Sequence, residues 1–444
     1  MESQKTIPYN ARSNTHSITL LCKVVDNFGD IGVVYRLANA LSPFPEFSLR
    51  LVVSDLSAFS KIAPQIDAQK DLQTFNGYHI FNWAANALCL EEFQKNPPEF
   101  IIECFQCGRP DWLEHLLFDV KFPHITHIIM LDYLTAEDYA ETFHLLPSIT
   151  RSAQVKKINF MPGFTKKTGG LILDKTFYEY AKINHKKGGR LNTNIVHQEF
   201  DCSSSARSFL QSKKLYKSTS SIKHSQILFF SYEKNLLPAV RALKYYNDSC
   251  ANGTLSVLLA NGAGVASFKS AYETESISSG KEPFALTMLS FVPQEEWDCI
   301  LFHSNILFIR GEDSLSRACL SGNPFVWNAY PQSDDYQLVK VNALLEKLHP
   351  FFGEDIFEII KTCWNLYNES DSSASPPTDS HHPTTPSETE KKLEDALTAF
   401  LCNAEKMQEG FKNFSESLTK NGDLSHNLMT FILKNTTIES QFSF

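Results

Sequence analysis

The chain has 444 residues, 43% hydrophobic and 20% charged, with a formal net charge of −9 and a pI near 5.9. That length exceeds one comfortable hydrophobic core and predicts two domains. The acidic balance argues against a nucleic-acid partner, and the longest apolar runs, 227–230 and 256–260, are far too short to span a membrane.

Residues 1–16 are a polar tail without the apolar core of a signal peptide, so a cytoplasmic location is expected. Over 17–190, apolar runs at 18–25, 49–53, 99–102 and 127–131 alternate with helical patterns. The first helix, 31–42, shows its period through Val33, Val34, Leu37, Ala38 and Leu41. Strands separated by helices predict a parallel sheet covered on both faces. The first strand runs into Asp26-Asn-Phe-Gly-Asp30, a strand-to-helix turn carrying two carboxylates. In open α/β sheets, ligands bind beyond the carboxyl ends of the strands, so Asp26 and Asp30 stand where chemistry is usually done. The same residues also suit a plain helix start, with Asp26 shaping the turn and Asp30 capping the helix.

Cys104-x-x-Cys107 has redox or zinc half-site spacing, but no second pair accompanies it and the ten cysteines form no regular framework. Both thiols are expected to be reduced and free. Residues 162–170 hold phosphate-binding residue types without the Walker spacing and read as a cleft loop. His144 reads as a core or surface residue, and no metal is expected. At 191–225 the composition turns to Ser, Lys, Asn and Thr, a polar linker.

A second alternating series fills 226–367, with strands at 226–231, 254–260, 285–291, 305–310 and 324–327 and helices at 234–246, 294–301 and 313–321. This is a second Rossmann-like unit. Gly262-Ala-Gly264 follows a strand but lacks the third glycine and the acidic residue of a dinucleotide fingerprint, and reads as a loop. In 306–317 a buried strand ends at Arg310, Gly311 permits a sharp turn, and Glu312-Asp313-Ser314 opens a helix. The free N–H groups of a helix start attract phosphate. Ser314 can add a hydroxyl there and Arg310 a fork of donors. Capping by Asp313 or Ser314, with Arg310 paired to a neighbour, is the plainer reading of the same residues. Residues 368–390 are Ser/Pro-rich and predict a disordered insertion. Helices near 391–419 and 424–437 close the chain, within 391–444.

Taken in order, these segments resemble the EarP family, arginine rhamnosyltransferases that modify bacterial elongation factor P. The resemblance rests on Asp26-Asn-Phe-Gly-Asp-Ile-Gly32 with Arg36-Leu-Ala38, Glu103 with Phe105 and Cys107, Leu134-Thr-Ala-Glu137, Leu146-Pro-Ser148 and Pro162-Gly-Phe-Thr with Thr168-Gly-Gly170. It continues through Phe230 and Tyr232, Phe291-Val-Pro-Gln294, Arg310-Gly-Glu-Asp-Ser314 and Pro324-Phe-Val-Trp-Asn-Ala-Tyr-Pro-Gln-Ser-Asp-Asp335. Met130-Leu-Asp-Tyr133 stands where the family usually has Asn-Leu-Glu-Tyr, and the 191–225 and 368–390 stretches look like additions.

The resemblance implies a GT-B fold: two Rossmann-like domains facing across a cleft, with the last helix returning to the N-terminal domain. It implies transfer of rhamnose from dTDP-β-L-rhamnose to an arginine of elongation factor P with inversion, without cofactor or metal. The catalytic roles fall to Asp30 as base, Asp26 as its partner, and Glu312. Donor-binding roles fall to Asn27, Phe28, Gly29, Phe230, Tyr232, Phe291, Gln294, Arg310, Asp313 and Ser314. The competing readings are a GT-B transferase with another nucleotide sugar and a non-protein acceptor, and a non-catalytic module for a translation factor.

Overall fold

In β1 (His16–Cys22), Leu20 and Cys22 pack into one apolar cluster and Leu21 into another. Leu51 and Val53 divide from Val52 in β2 (Phe47–Val53) in the same way, and Ile102 from Ile101 in β5 (Phe100–Cys104). Successive side chains of a strand point to opposite faces, so a sheet with apolar residues on both must be covered on both. The computed structural model describes residues 15–25, 28–119, 124–186, 225–251, 254–370 and 387–442. Within them, β3 (Leu72–Phe75), β4 (Tyr78–Asn82), β6 (Thr126–Leu131), β7 (Pro147–Ser148) and β8 (Val155–Phe160) complete an eight-stranded sheet. Its order is β3-β4-β2-β1-β5-β6-β8-β7, parallel except for the two edge strands β3 and β7. The covering helices are α1 (Gly29–Leu41), α2 (Leu56–Ile62), α3 (Asn86–Lys95), α4 (Asp111–Phe118), α5 (Tyr139–Phe143) and α6 (Lys175–Lys186).

The second unit alternates strictly: β9 (Ser225–Phe229), α7 (Leu237–Ser249), β10 (Leu255–Leu259), α8 (Val265–Ser279), β11 (Ala285–Met288), α9 (Gln294–His303), β12 (Ile306–Arg310), α10 (Glu312–Ser321) and β13 (Phe325–Asn328). Its five parallel strands lie in the order β11-β10-β9-β12-β13. The chain reverses direction across the sheet between β9 and β12, as it does between β1 and β5 in the first unit. Such switch points open a crevice at the carboxyl ends of the strands. Helices α11 (Tyr336–Leu348), α12 (Glu354–Asn368), α13 (Glu388–Thr419) and α14 (Leu424–Phe442) follow.

Helix α13 starts from a capping box in which Ser387 and Glu390 exchange hydrogen bonds, and it packs on α7 and α12. At its end Gly422, at φ +94°, turns the chain back, and its carbonyl sits so close to Gly170 that a Cβ there would lie 2.6 Å away. Leu424, Leu428, Met429 and Ile432 of α14 then enter the core of the first sheet.

One expected strand needs correction. The 285–291 strand stops at Met288, which frees Phe291 to sit on the surface. Gly262-Ala-Gly264 lies in the short loop between β10 and α8, in agreement with the sequence reading. The short strands β3, β4 and β7 and helix α8 carry no clean period in the sequence, because short elements and a mixed helix show none.

Candidate active site

Helix α1 begins at Gly29, and Asp30 is its second residue. The N-cap, Phe28, offers no side-chain bond, and the Asp30 carboxylate does not cap the helix. Instead Oδ2 accepts the Val25 N–H at 2.8 Å and Oδ1 accepts the Tyr133 hydroxyl at 3.0 Å. Asp30 is 2% exposed, yet it lines a cleft between the two units. Asp26 and Asn27 lie outside the described residues.

Tyr133 is held by stacking on Phe105, with ring centroids 4.6 Å apart and planes 15° from parallel. Phe105 and Gln106 immediately follow β5 and are both left-handed, at φ 58° and 52°. Such strain in residues other than glycine persists only where the surroundings over-determine it, and it clusters at functional sites. Here the Phe105 N–H reaches the Leu131 carbonyl at 2.6 Å and the Gln106 amide reaches Asp132 at 3.1 Å.

Across the cleft, β12 ends at Arg310 and Gly311 makes the turn at φ 74°, a conformation that suits glycine. Glu312 opens α10 and lines the cleft. Its Oε2 accepts the Leu134 N–H from the first domain at 3.1 Å. Enclosure by protein pushes its carboxyl up to about 8, against smaller lowering effects of Lys340 and the Leu134 N–H; Asp30 and Asp132 push it further up.

The residues assigned to the donor fall into two groups. Arg310 sits between the rings of Phe230 and Tyr232, its guanidinium carbon 4.4 and 4.5 Å from their centroids. A Cβ on Gly262 would lie 3.0 Å from the Phe230 ring and 3.1 Å from Arg310, so this turn is closed over the guanidinium. Of these, Tyr232 lines the cleft and Arg310 does not.

The second group lies against the first domain. Phe28 and Phe291 pack ring to ring at 4.7 Å across the cleft, and Gln294 donates to the Gly32 carbonyl at 2.7 Å. Asp313 takes a bidentate pair from Arg36, at 2.8 and 2.9 Å. The same guanidinium, 3% exposed, grips Asp298 at 2.6 and 2.9 Å and also reaches Asp174. Arg317, wholly buried, faces Asp174 as well and donates to the Ile172 carbonyl. Burial raises the carboxyls of Asp313 and Asp174, but the guanidiniums outweigh it and hold both below the ordinary range. For Asp298 burial prevails over Arg36, raising it to about 6. Ser314 is buried in the first turn of α10.

Other sequence candidates prove structural. Burial pushes the thiol of Cys107 up to about 11 and raises that of Cys104, so neither is an activated nucleophile. His144 accepts the Met161 N–H at 3.1 Å beside the Phe160 ring, and burial lowers its pKa. The 162–170 loop does reach the cleft, through Phe164. Sequence reasoning missed Lys340 of α11 altogether. It is the one cation in the cleft lining among the described residues, and nothing in the pattern of that helix separates it from an ordinary solvated lysine.

Two Rossmann-like domains with facing crevices, and carboxylates on the helix starts of both, give the chain a GT-B fold. Residues 18–433 match the family described as "Elongation-Factor P (EF-P) rhamnosyltransferase EarP". A protein-arginine rhamnosyltransferase of Shewanella oneidensis is 30% identical over 384 residues, covering 80% of this chain and 90% of its own. One from Pseudomonas aeruginosa is 27% identical, covering 79% and 86%. A solved structure described as the basis for EarP-mediated arginine glycosylation of translation elongation factor EF-P superposes with a TM-score of 0.51. It is 19% identical and covers 94% of this chain and 99% of its own. The chain belongs to the EarP family and is a glycosyltransferase.

Proposed function

We propose that the protein transfers L-rhamnose from dTDP-β-L-rhamnose to an arginine side chain of translation elongation factor P, inverting the anomeric carbon. It would act in the cytoplasm, where translation factors work. No helix among the described residues is long and apolar enough to cross a membrane.

The observation that carries this reading is Asp30, a buried carboxylate open to the cleft with its orientation set by two hydrogen bonds. A guanidinium holds its proton with a pKa of about 12 or more, so its nitrogen is a poor nucleophile until a positioned base shares that proton. Asp30 accepts the proton as the arginine nitrogen attacks the anomeric carbon from the face opposite the diphosphate. Asp26 would share the orienting of the guanidinium. The sugar–oxygen bond breaks, and the electron pair leaves with the nucleotide. Preorganised groups of the second domain, with Glu312 and Tyr232 on the cleft wall, surround the place where that charge develops. The α10 helix start, with Ser314 in its first turn, faces the same negative charge favourably. Phe230, Tyr232, Phe291, Gln294 and Arg310 would hold the nucleotide; Asp313 would act through the Arg36 pair that secures its helix.

Intact mass of elongation factor P, after incubation with the protein and dTDP-rhamnose, tests the proposal. A gain of one deoxyhexose on an arginine is expected. No gain with dTDP-rhamnose, but transfer from a UDP- or GDP-sugar, would replace the donor.

A further inference from the structure

An inverting transfer leaves negative charge on the departing nucleoside diphosphate, and the expected phosphate ligand, Arg310, is enclosed between two aromatic rings outside the cleft lining. Among the described residues the lining holds two carboxylates, Asp30 and Glu312, and one cation, Lys340. Lys340 lies in the second turn of α11, on the wall of the nucleotide-binding domain, with Tyr232, Trp327 and Tyr330 around the same cleft. Its ammonium makes no hydrogen bond and no ion pair with the described residues, although lysines on exposed faces of this protein commonly do, such as Lys347 with Asp138 at 2.8 Å. The charge that senses it is Glu312. That carboxyl is pushed up to about 8, so near neutral pH it is mostly protonated and does not cancel the ammonium.

A second donor waits on the same wall. Trp327 is 7% exposed, and its indole N–H has no acceptor among the described residues. Buried donors are almost always paired, so an unpaired one beside a cleft marks a place for an acceptor from outside the chain. An ammonium with three free N–H groups and an unpaired indole N–H suit an anion rich in oxygen acceptors. They would repel the cationic arginine acceptor, which the Asp30 side of the cleft attracts. The cleft is thus polarised, with the anionic wall on the first domain and the cationic one on the second.

We propose that Lys340 is a catalytic residue of the transfer: its ammonium binds the diphosphate of the nucleotide sugar and stabilises the charge on the leaving nucleoside diphosphate. The assignment rests on the transferase reading above. As the bond from the anomeric carbon to the β-phosphate oxygen breaks, its electron pair stays on that oxygen, facing Lys340. The new carbon–nitrogen bond forms on the other face, and the proton goes to Asp30. Trp327 donates to a neighbouring oxygen.

Calorimetric titration of dTDP and of thymidine into wild type, Lys340→Met and Lys340→Arg, with thermal melts to confirm folding, decides the matter. Lys340→Met should weaken dTDP binding about tenfold or more, as expected for a lost charge-assisted contact, and leave thymidine binding unchanged. Its kcat should fall further than its affinity, because the charge is greatest in the transition state. Lys340→Arg should restore most of the binding. Equal binding of dTDP by Lys340→Met and wild type would overturn the assignment, as would parallel losses for dTDP and thymidine, which indicate a structural role. If wild type prefers another nucleoside diphosphate, the dTDP reading fails while the Lys340→Met comparison is made with that nucleotide.

Discussion

Strands β1 and β12 are both central and parallel, and each is followed by a helix whose first turn brings a carboxylate to the cleft, Asp30 in α1 and Glu312 in α10. Their surroundings differ. Asp30 receives two donors, a backbone N–H and a tyrosine hydroxyl, within its own domain. Glu312 receives one N–H, donated by the opposite domain, and enclosure pushes its carboxyl up to about 8. A carboxylate at a helix start is thus held by its own domain on one wall, and on the other is a mostly protonated acid near neutral pH. The raised value at Glu312 comes from desolvation, which is a property of the packed site.

The sharpest way to break this comparison is Asp30→Asn. The amide keeps the shape but cannot take the proton, so transfer should fall by roughly 10²–10⁴-fold while dTDP binding survives. Near-normal transfer, measured by intact mass of the acceptor, would reduce Asp30 to a structural residue like any other at a helix start.

The second test removes what keeps the two turns facing each other. Arg36→Ala strips the partner from Asp298 and Asp313, and should cost about 3–5 kcal/mol, because buried carboxylates without a counter-charge are left behind. Differential scanning calorimetry should show a marked loss, and a melting profile like that of wild type would mean the domains do not depend on this cluster.

Glu312→Gln probes the raised carboxyl. The folded value of about 8 lies above the ordinary 4.5, so the native state binds a proton more tightly than the unfolded one. The contribution is therefore fully present below about pH 4.5 and is lost as pH rises towards 8, by up to about 1.4 kcal/mol per pH unit. Glutamine carries no proton to lose, so the variant should gain on wild type steadily from pH 5 to pH 8. Parallel melting curves across that range would show that Glu312 is an ordinary ionised carboxylate.

The smallest effect concerns Tyr133, which stands in the run where the chain departs from the family's usual residues. Tyr133→Phe keeps the stack on Phe105 and removes one donor from Asp30, a change of about 0.5–1.5 kcal/mol. Turnover should drop a few-fold to about tenfold. No change would mean that the carboxylate is set without the Tyr133 hydroxyl.

The sequence by itself determined the alternation of strands and helices, because parallel strands buried on both faces read as continuous apolar runs. It also marked the two strand-to-helix turns, because a glycine and carboxylates beside a helix start are local features of the chain. The last helices were legible from their period, though not where they would dock. Only the tertiary structure decided what each charged residue is for. Arg310 and Asp313 both fall among the donor-binding residues that the resemblance implies, yet one ends between two rings and the other on Arg36, 277 residues away in the chain. Lys340 carried no local signal, and Trp327 stood only as one residue of the 324–335 run, because an unpaired donor is defined by what packs around it. Pairing, enclosure and the value to which Glu312 is pushed come from contacts between segments far apart in sequence, and periodicity, which reports only near neighbours, does not contain them.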